Sequence, residues 1–80
     1  MDFKTKYRLA KANGLEERCR GDEISFRISE KYPLNAQIAL LMDKDLKYYE
    51  WVEYQAFRQQ VKDEVDAEIQ TFENEINHGA

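Results

Sequence analysis

The chain has 80 residues, 42% of them hydrophobic and 35% charged, and a net charge of −4 at neutral pH. That length makes one domain with little interior of its own, and that apolar content excludes a disordered chain. The charge is divided: residues 1–40 carry eight Lys and Arg against six acids, and residues 41–80 carry four against ten, so a +2 half and a −6 half can attract each other within one chain or between two.

The first segment, 1–32, is read as a β or irregular segment. Asn13-Gly14 and Gly21-Asp22 are turn signals. From Ile24 to Ser29 apolar and polar residues alternate, which predicts a strand with Ile24, Phe26 and Ile28 on one face. Tyr7-Arg8-Leu9-Ala10 would be its antiparallel partner in a short hairpin. A helical reading survives alongside, because Leu15-Glu16-Glu17-Arg18-Cys19-Arg20 contains good helix formers.

Pro33 stops what precedes it and suits the start of a short helix over 33–43, capped by Asn35 or the residues just before it. Leu34, Ile38, Leu41 and Met42 then share one side. Asp43-Lys44-Asp45 interrupts, with Asp45 as an N-cap for a long helix over 46–76. In that helix Trp51, Tyr54, Phe57, Val61, Val65, Ile69, Phe72 and Ile76 recur at the α-helical period, with no Gly or Pro between them. A smaller apolar face, Tyr49, Val52 and Ala56, is expected to receive the short helix and the N-terminal part. Residues 77–80 read as a frayed tail. The fold class predicted is mainly α (α+β): an N-terminal β-hairpin or irregular segment, one short helix and one long amphipathic helix.

Little in the chain can carry chemistry. Nucleophilic catalysis needs a nucleophile beside an oriented base, and the one cysteine, Cys19, and the one histidine, His78, stand far apart in sequence, His78 near the end. Cys19 reads better as a small, partly buried apolar residue. A zinc site needs about four ligands, and Glu75 with His78 makes a poor substitute. Gly14, Gly21 and Gly79 form no phosphate-cradling loop. No catalytic residue, cofactor or metal is expected, and no enzyme. A lone cysteine fits a reducing compartment. The basic start is followed by no apolar stretch that would make a secretory signal, and the apolar run Ile38–Met42 is too short to span a bilayer. Cytoplasmic location is therefore expected, with no membrane partner.

Two surfaces are candidates for contacts. The basic residues Lys4, Lys6, Arg8, Lys11, Arg18, Arg20, Arg27 and Lys31, with Phe3, Tyr7 and Phe26 among them, do not outweigh an acidic chain, so nucleic acid is not the expected partner. The acidic row Asp63, Glu64, Asp66, Glu68, Glu73 and Glu75 is read first as a solvated helix face. As an alternative it would mimic a phosphate backbone and occupy the groove of a nucleic-acid-binding protein. Tyr48, Tyr49, Trp51, Tyr54 and Phe57 are too dense to share one core stripe, so some should serve as interface anchors.

From Arg27 to Ile69 the chain resembles a group of small uncharacterised proteins of phages and prophages of Gram-positive and gut bacteria. The shared pattern reads Lys31-Tyr32, Ile38-Ala39-Leu40-Leu41, a charged linker, Glu50-Trp51, Glu53-Tyr54, Ala56-Phe57, Val61-Lys62, Glu64-Val65 and Ala67-Glu68-Ile69. The chain departs from it at Pro33, where the group often has Ser or Thr, at Met42-Asp43, where basic residues are usual, and in the linker before Glu50, which in the group often holds a proline. The resemblance implies a phage accessory protein of the tail or late structural gene region, acting through protein contacts in the bacterial host cell or on the virion. Its partner would be a phage structural protein. In the alternative role, as an anti-defence inhibitor, the partner would be a host defence protein such as a nuclease.

The expected interface is Tyr49, Trp51, Tyr54, Phe57, Val61, Val65, Ile69, Phe72 and Ile76. Beyond Val61 the seam outruns what the rest of the chain is expected to cover, which predicts an antiparallel homodimer through the long helix. The competing arrangement folds the N-terminal segment back along the seam, with its Lys and Arg over the acids, and gives a monomer.

Overall fold

The structure, a computed structural model, describes residues 1–78, and Gly79 and Ala80 of the expected tail lie outside them. Four helices follow one another: α1 (Phe3–Ala12), α2 (Glu16–Lys31), α3 (Leu34–Met42) and α4 (Tyr48–His78). No strand occurs among the described residues. The fold is therefore all-α, and the N-terminal β-hairpin of the α+β reading is corrected to a helical hairpin.

The correction has a local cause. Ile24 and Ile28, four residues apart, point into the core together, while Phe26 between them is exposed. Six alternating residues satisfy a strand of period 2, yet the i, i+4 pair among them satisfies a helix equally well. Gly21, a turn signal in the sequence, lies inside α2 with open space where a Cβ would be. It weakens the helix by about 1 kcal/mol relative to Ala without ending it. Asn13-Gly14 does turn the chain. Gly14 adopts φ +70°, Leu15 N–H bonds the Ala10 carbonyl at 2.7 Å and Gly14 N–H bonds that of Lys11 at 3.2 Å, the double closure of a Schellman motif. At the other end of α1, Asp2 caps the helix by accepting from Thr5 N–H at 2.9 Å.

The short helix expected over 33–43 is α3, with Pro33 at its N-cap position and no side-chain cap. Asn35 is inside it. The long helix expected over 46–76 starts at Tyr48 rather than after Asp45, because the Asp43 carbonyl accepts from both Leu46 and Lys47 N–H and makes residues 43–47 a turn. It runs through Asn77 and His78, two residues of the expected tail.

The rod so formed measures 53 × 18 × 18 Å. α2 runs antiparallel to α4, with Arg20 beside Asp66 at one end and Tyr32 against Tyr54 and Phe57 at the other. α1 closes the later half of α4 through Phe3, Tyr7 and Phe72, whose rings lie 5.4 to 6.3 Å apart. Between these aromatic groups Ile24, Ile28, Val61 and Val65 fill the centre, with Val65 at 0% exposure. Each such side chain contributes roughly 1.5–3 kcal/mol. The seam judged too long to cover is thus covered within one chain, by the segment that was expected to be a small hairpin. Two helices of 10 and 16 residues reach much farther along α4 than a hairpin would.

α3 is packed less fully. It lies beside the start of α4, with Leu40 buried and Gln37 bridging Tyr32 O (2.7 Å) and the Tyr54 hydroxyl (2.6 Å). Ala36 and Leu40 of α3 face Lys47 of the turn and Glu50 and Glu53 of α4. The face Tyr49, Val52 and Ala56, expected to receive this helix, is exposed instead.

Candidate functional site

The acidic row does not form one free face. Arg20 grips Asp66 through Nε (2.6 Å) and Nη2 (3.1 Å), and Arg27 grips Glu68 through Nη1 (2.6 Å) and Nη2 (2.9 Å). Arg27 also binds Glu23 at 2.7 Å and lies over the Phe3 ring. Glu73 accepts from both Lys11 and the Tyr7 hydroxyl, and Glu75 pairs with Lys4 and, at 3.7 Å, Arg8. The hydrogen bond from Arg20 holds Asp66 below the usual carboxylate range, and Arg27, Lys11 and Lys4 do the same for Glu68, Glu73 and Glu75. Burial, then the neighbouring Glu73, pushes the Tyr7 hydroxyl far above its ordinary value. Asp63 and Glu64 remain exposed, accepting from Gln59 and Gln60, each at 3.0 Å. Four of the six acids are thus occupied by cations of α1 and α2 in the same chain.

The apolar interface residues divide in a similar way. Tyr54, Val61 and Val65 are buried, and Trp51, Phe57, Ile69, Phe72 and Ile76 are half-buried along the same seam. Of the residues expected to meet a partner only Tyr49, at 83% exposure, is open to one.

Most of the exposed apolar surface gathers at the α3–α4 corner. Every residue from Leu41 to Glu50 is exposed. Leu34, Ile38, Leu41 and Met42 form a stripe on the side of α3 away from Leu40, and Leu46 in the turn is 88% exposed. Tyr48, Tyr49 and Val52 form a second edge, on the side of α4 opposite Tyr54 and Val61, with the two tyrosine rings edge-to-face at 5.8 Å. The stripe on α3 was legible in the spacing. Its outward direction was not, although one signal was present: α3 has no charged residue in nine.

Little here supports catalysis. A cleft of about 460 Å³ on the α1–α2 face is lined by Lys6, Leu15, Arg18, Cys19, Asp22 and Phe26 among others. Burial raises the Cys19 thiol above its ordinary value, the wrong direction for a nucleophile. The His78 side chain, the other half of the Cys19–His78 pair and of the Glu75–His78 pair, lies outside the described residues. Among the described residues no three His, Cys, Asp or Glu side chains converge as a metal site, and no helix is long and apolar enough to cross a membrane.

What the arrangement offers is a firm helical rod with two apolar edges at one end. No family model, curated protein or solved structure matches the chain.

Proposed function

We propose that this is a non-enzymatic binding module that works through protein contacts, with the α4 edge Tyr48, Tyr49 and Val52 as its docking surface. One observation carries the reading: two tyrosines and a valine stand exposed on a helix whose opposite side is firmly packed. Tyrosines held on a rigid helix supply large contact area at little entropic loss, which is what interface anchors require. The phage or prophage setting, in the tail or late structural module, is supported by the resemblance over Arg27–Ile69, whose Glu50-Trp51 and Glu53-Tyr54 elements flank this edge. A phage structural protein is then the partner, in the host cytoplasm or on the virion. The inhibitor alternative, an acidic helix as DNA mimic, draws less support, since only Asp63 and Glu64 of its row are free of cations from α1 and α2.

Capture from induced lysogens with the immobilised chain tests this reading. Virion proteins should be retained by the wild type and lost with Tyr49→Ser plus Val52→Ser. Retention of a nuclease instead, unaffected by these changes and abolished by Asp63→Asn plus Glu64→Gln, would replace it by the inhibitor reading.

A further inference from the structure

The second edge, on α3, is separate from the tyrosine edge and has its own geometry. Leu34, Ile38 and Met42 are spaced four apart, Leu41 lies beside them, and all four are exposed. The stripe continues onto α2, because Phe26 and Leu34 line one groove of about 490 Å³ together with Ile28, Ser29, Gln37 and Arg58. At its other end it runs into Leu46. From their exposures these six side chains present on the order of 800 Å² of accessible surface, about what one partner contributes to a standard interface. An apolar patch of that extent exceeds what a monomeric protein ordinarily leaves in water.

We infer that the α3 edge is covered by a second copy of this chain, α3 packing antiparallel against α3 across a two-fold axis. This occupant is favoured by area and by charge. A symmetric contact sets the face against a copy of itself, so any net charge on the face opposes itself. This face carries none, in a chain whose residues are 35% charged. The groups at its two ends, Asp22 with Arg58 and Asp43, Lys44 with Asp45, include both signs, so antiparallel pairing meets no like-charge block. The register follows from the spacing. Ile38 is midway between Leu34 and Met42, so antiparallel stripes in register place Ile38 on the axis against its own copy and Leu34 against Met42. Two α3–α4 layers then make a four-helix end, and the exposed side of α3 gains the cover that α4 gives to Leu40. The tyrosine edges remain outside this contact, so the dimer presents two docking surfaces.

The inference is independent of the partner proposed above except that both read the exposed end as a contact region. Sedimentation equilibrium at high micromolar concentration tests it. The wild type should give twice the 9.6 kDa of one chain. Ile38→Glu places two like charges on the axis and should weaken association by at least about tenfold, with the circular dichroism unchanged, since Ile38 is already 47% exposed. In a Cys19→Ser background, Ile38→Cys should form a covalent dimer under oxidised glutathione, because residues on the axis bring their Cα atoms within disulfide reach, and Tyr49→Cys should not. A monomeric wild type, a dimer that Ile38→Glu leaves intact, or crosslinking through Tyr49→Cys in place of Ile38→Cys each overturns it. A monomer that still loses its captured partner with the tyrosine-edge variant sinks the dimer and spares the binding reading. A dimer broken at Ile38 that captures no virion protein does the reverse.

Discussion

The two halves of this rod use similar residues for opposite ends. From about Val61 onward α4 is enclosed by α1 and α2, and Val61 and Val65 are removed from water. Around the later part of α3 only α4 packs against it, and Ile38, Leu41 and Met42 stay outside despite being as apolar as the residues that are buried. Hydrophobicity alone does not assign a side chain to the core. The number of helices available to surround it does, because a two-helix layer covers one side of each helix and leaves the other in water. The later half encloses its apolar side chains, and the α3 end leaves them in water.

The enclosed half is most vulnerable at Val65, the least exposed of its side chains. Val65→Asp buries an unpaired carboxylate and should destabilise the fold by about 4 kcal/mol, comparable to the whole stability of a domain this small. Chemical denaturation followed by circular dichroism should find the variant largely unfolded. A variant that keeps the wild-type midpoint would show that α1 and α2 do not enclose α4.

A smaller effect sharpens the role of the ion pairs. Arg27 joins α2 to Glu68 and covers Phe3, but it is a quarter exposed, so Arg27→Ala should cost about 1 kcal/mol after screening. The carboxyls of Asp66, Glu68, Glu73 and Glu75 have depressed folded-state values. Their contribution is therefore present at neutral pH and lost as pH falls through those values. The thermal midpoint should drop below about pH 4. A midpoint that is flat from neutral pH down to pH 3 would mean that these pairs hold nothing together.

The smallest effect is expected where the apolar surface is largest. Met42 is 79% exposed, so Met42→Gln, measured on dilute protein, should shift stability by no more than about 0.5 kcal/mol. A loss several times that size would place Met42 in a core and erase the contrast between the two ends.

Much of this was legible in the residues. The period of Trp51 to Ile76 located α4 and named the side of it that is buried, and Pro33 with the spacing of Leu34, Ile38, Leu41 and Met42 located α3. Asn13-Gly14 marked a real turn. The N-terminal third was misread because a strand and a helix compete on equal terms over six residues, and the deciding contact, Ile24 and Ile28 against Val61 and Val65, spans some 35 residues of sequence. The candidate site was legible only in its ingredients. Tyr49 was singled out for a contact, but it was grouped with Trp51, Tyr54 and Phe57, which face inward.

The long helix, its buried seam and the charge division between the halves follow from the residues and their spacing. These are properties of spacing and composition, which local physics reads directly. Only the packing of the helices places α1 and α2 over the seam, sets their Arg and Lys against four of the six acids, and leaves most of the exposed apolar surface on α3, the turn after it and the first turns of α4. Those outcomes depend on which helix reaches which face, and that is set by the turn at Gly14, the break at Pro33 and the lengths of the helices between them.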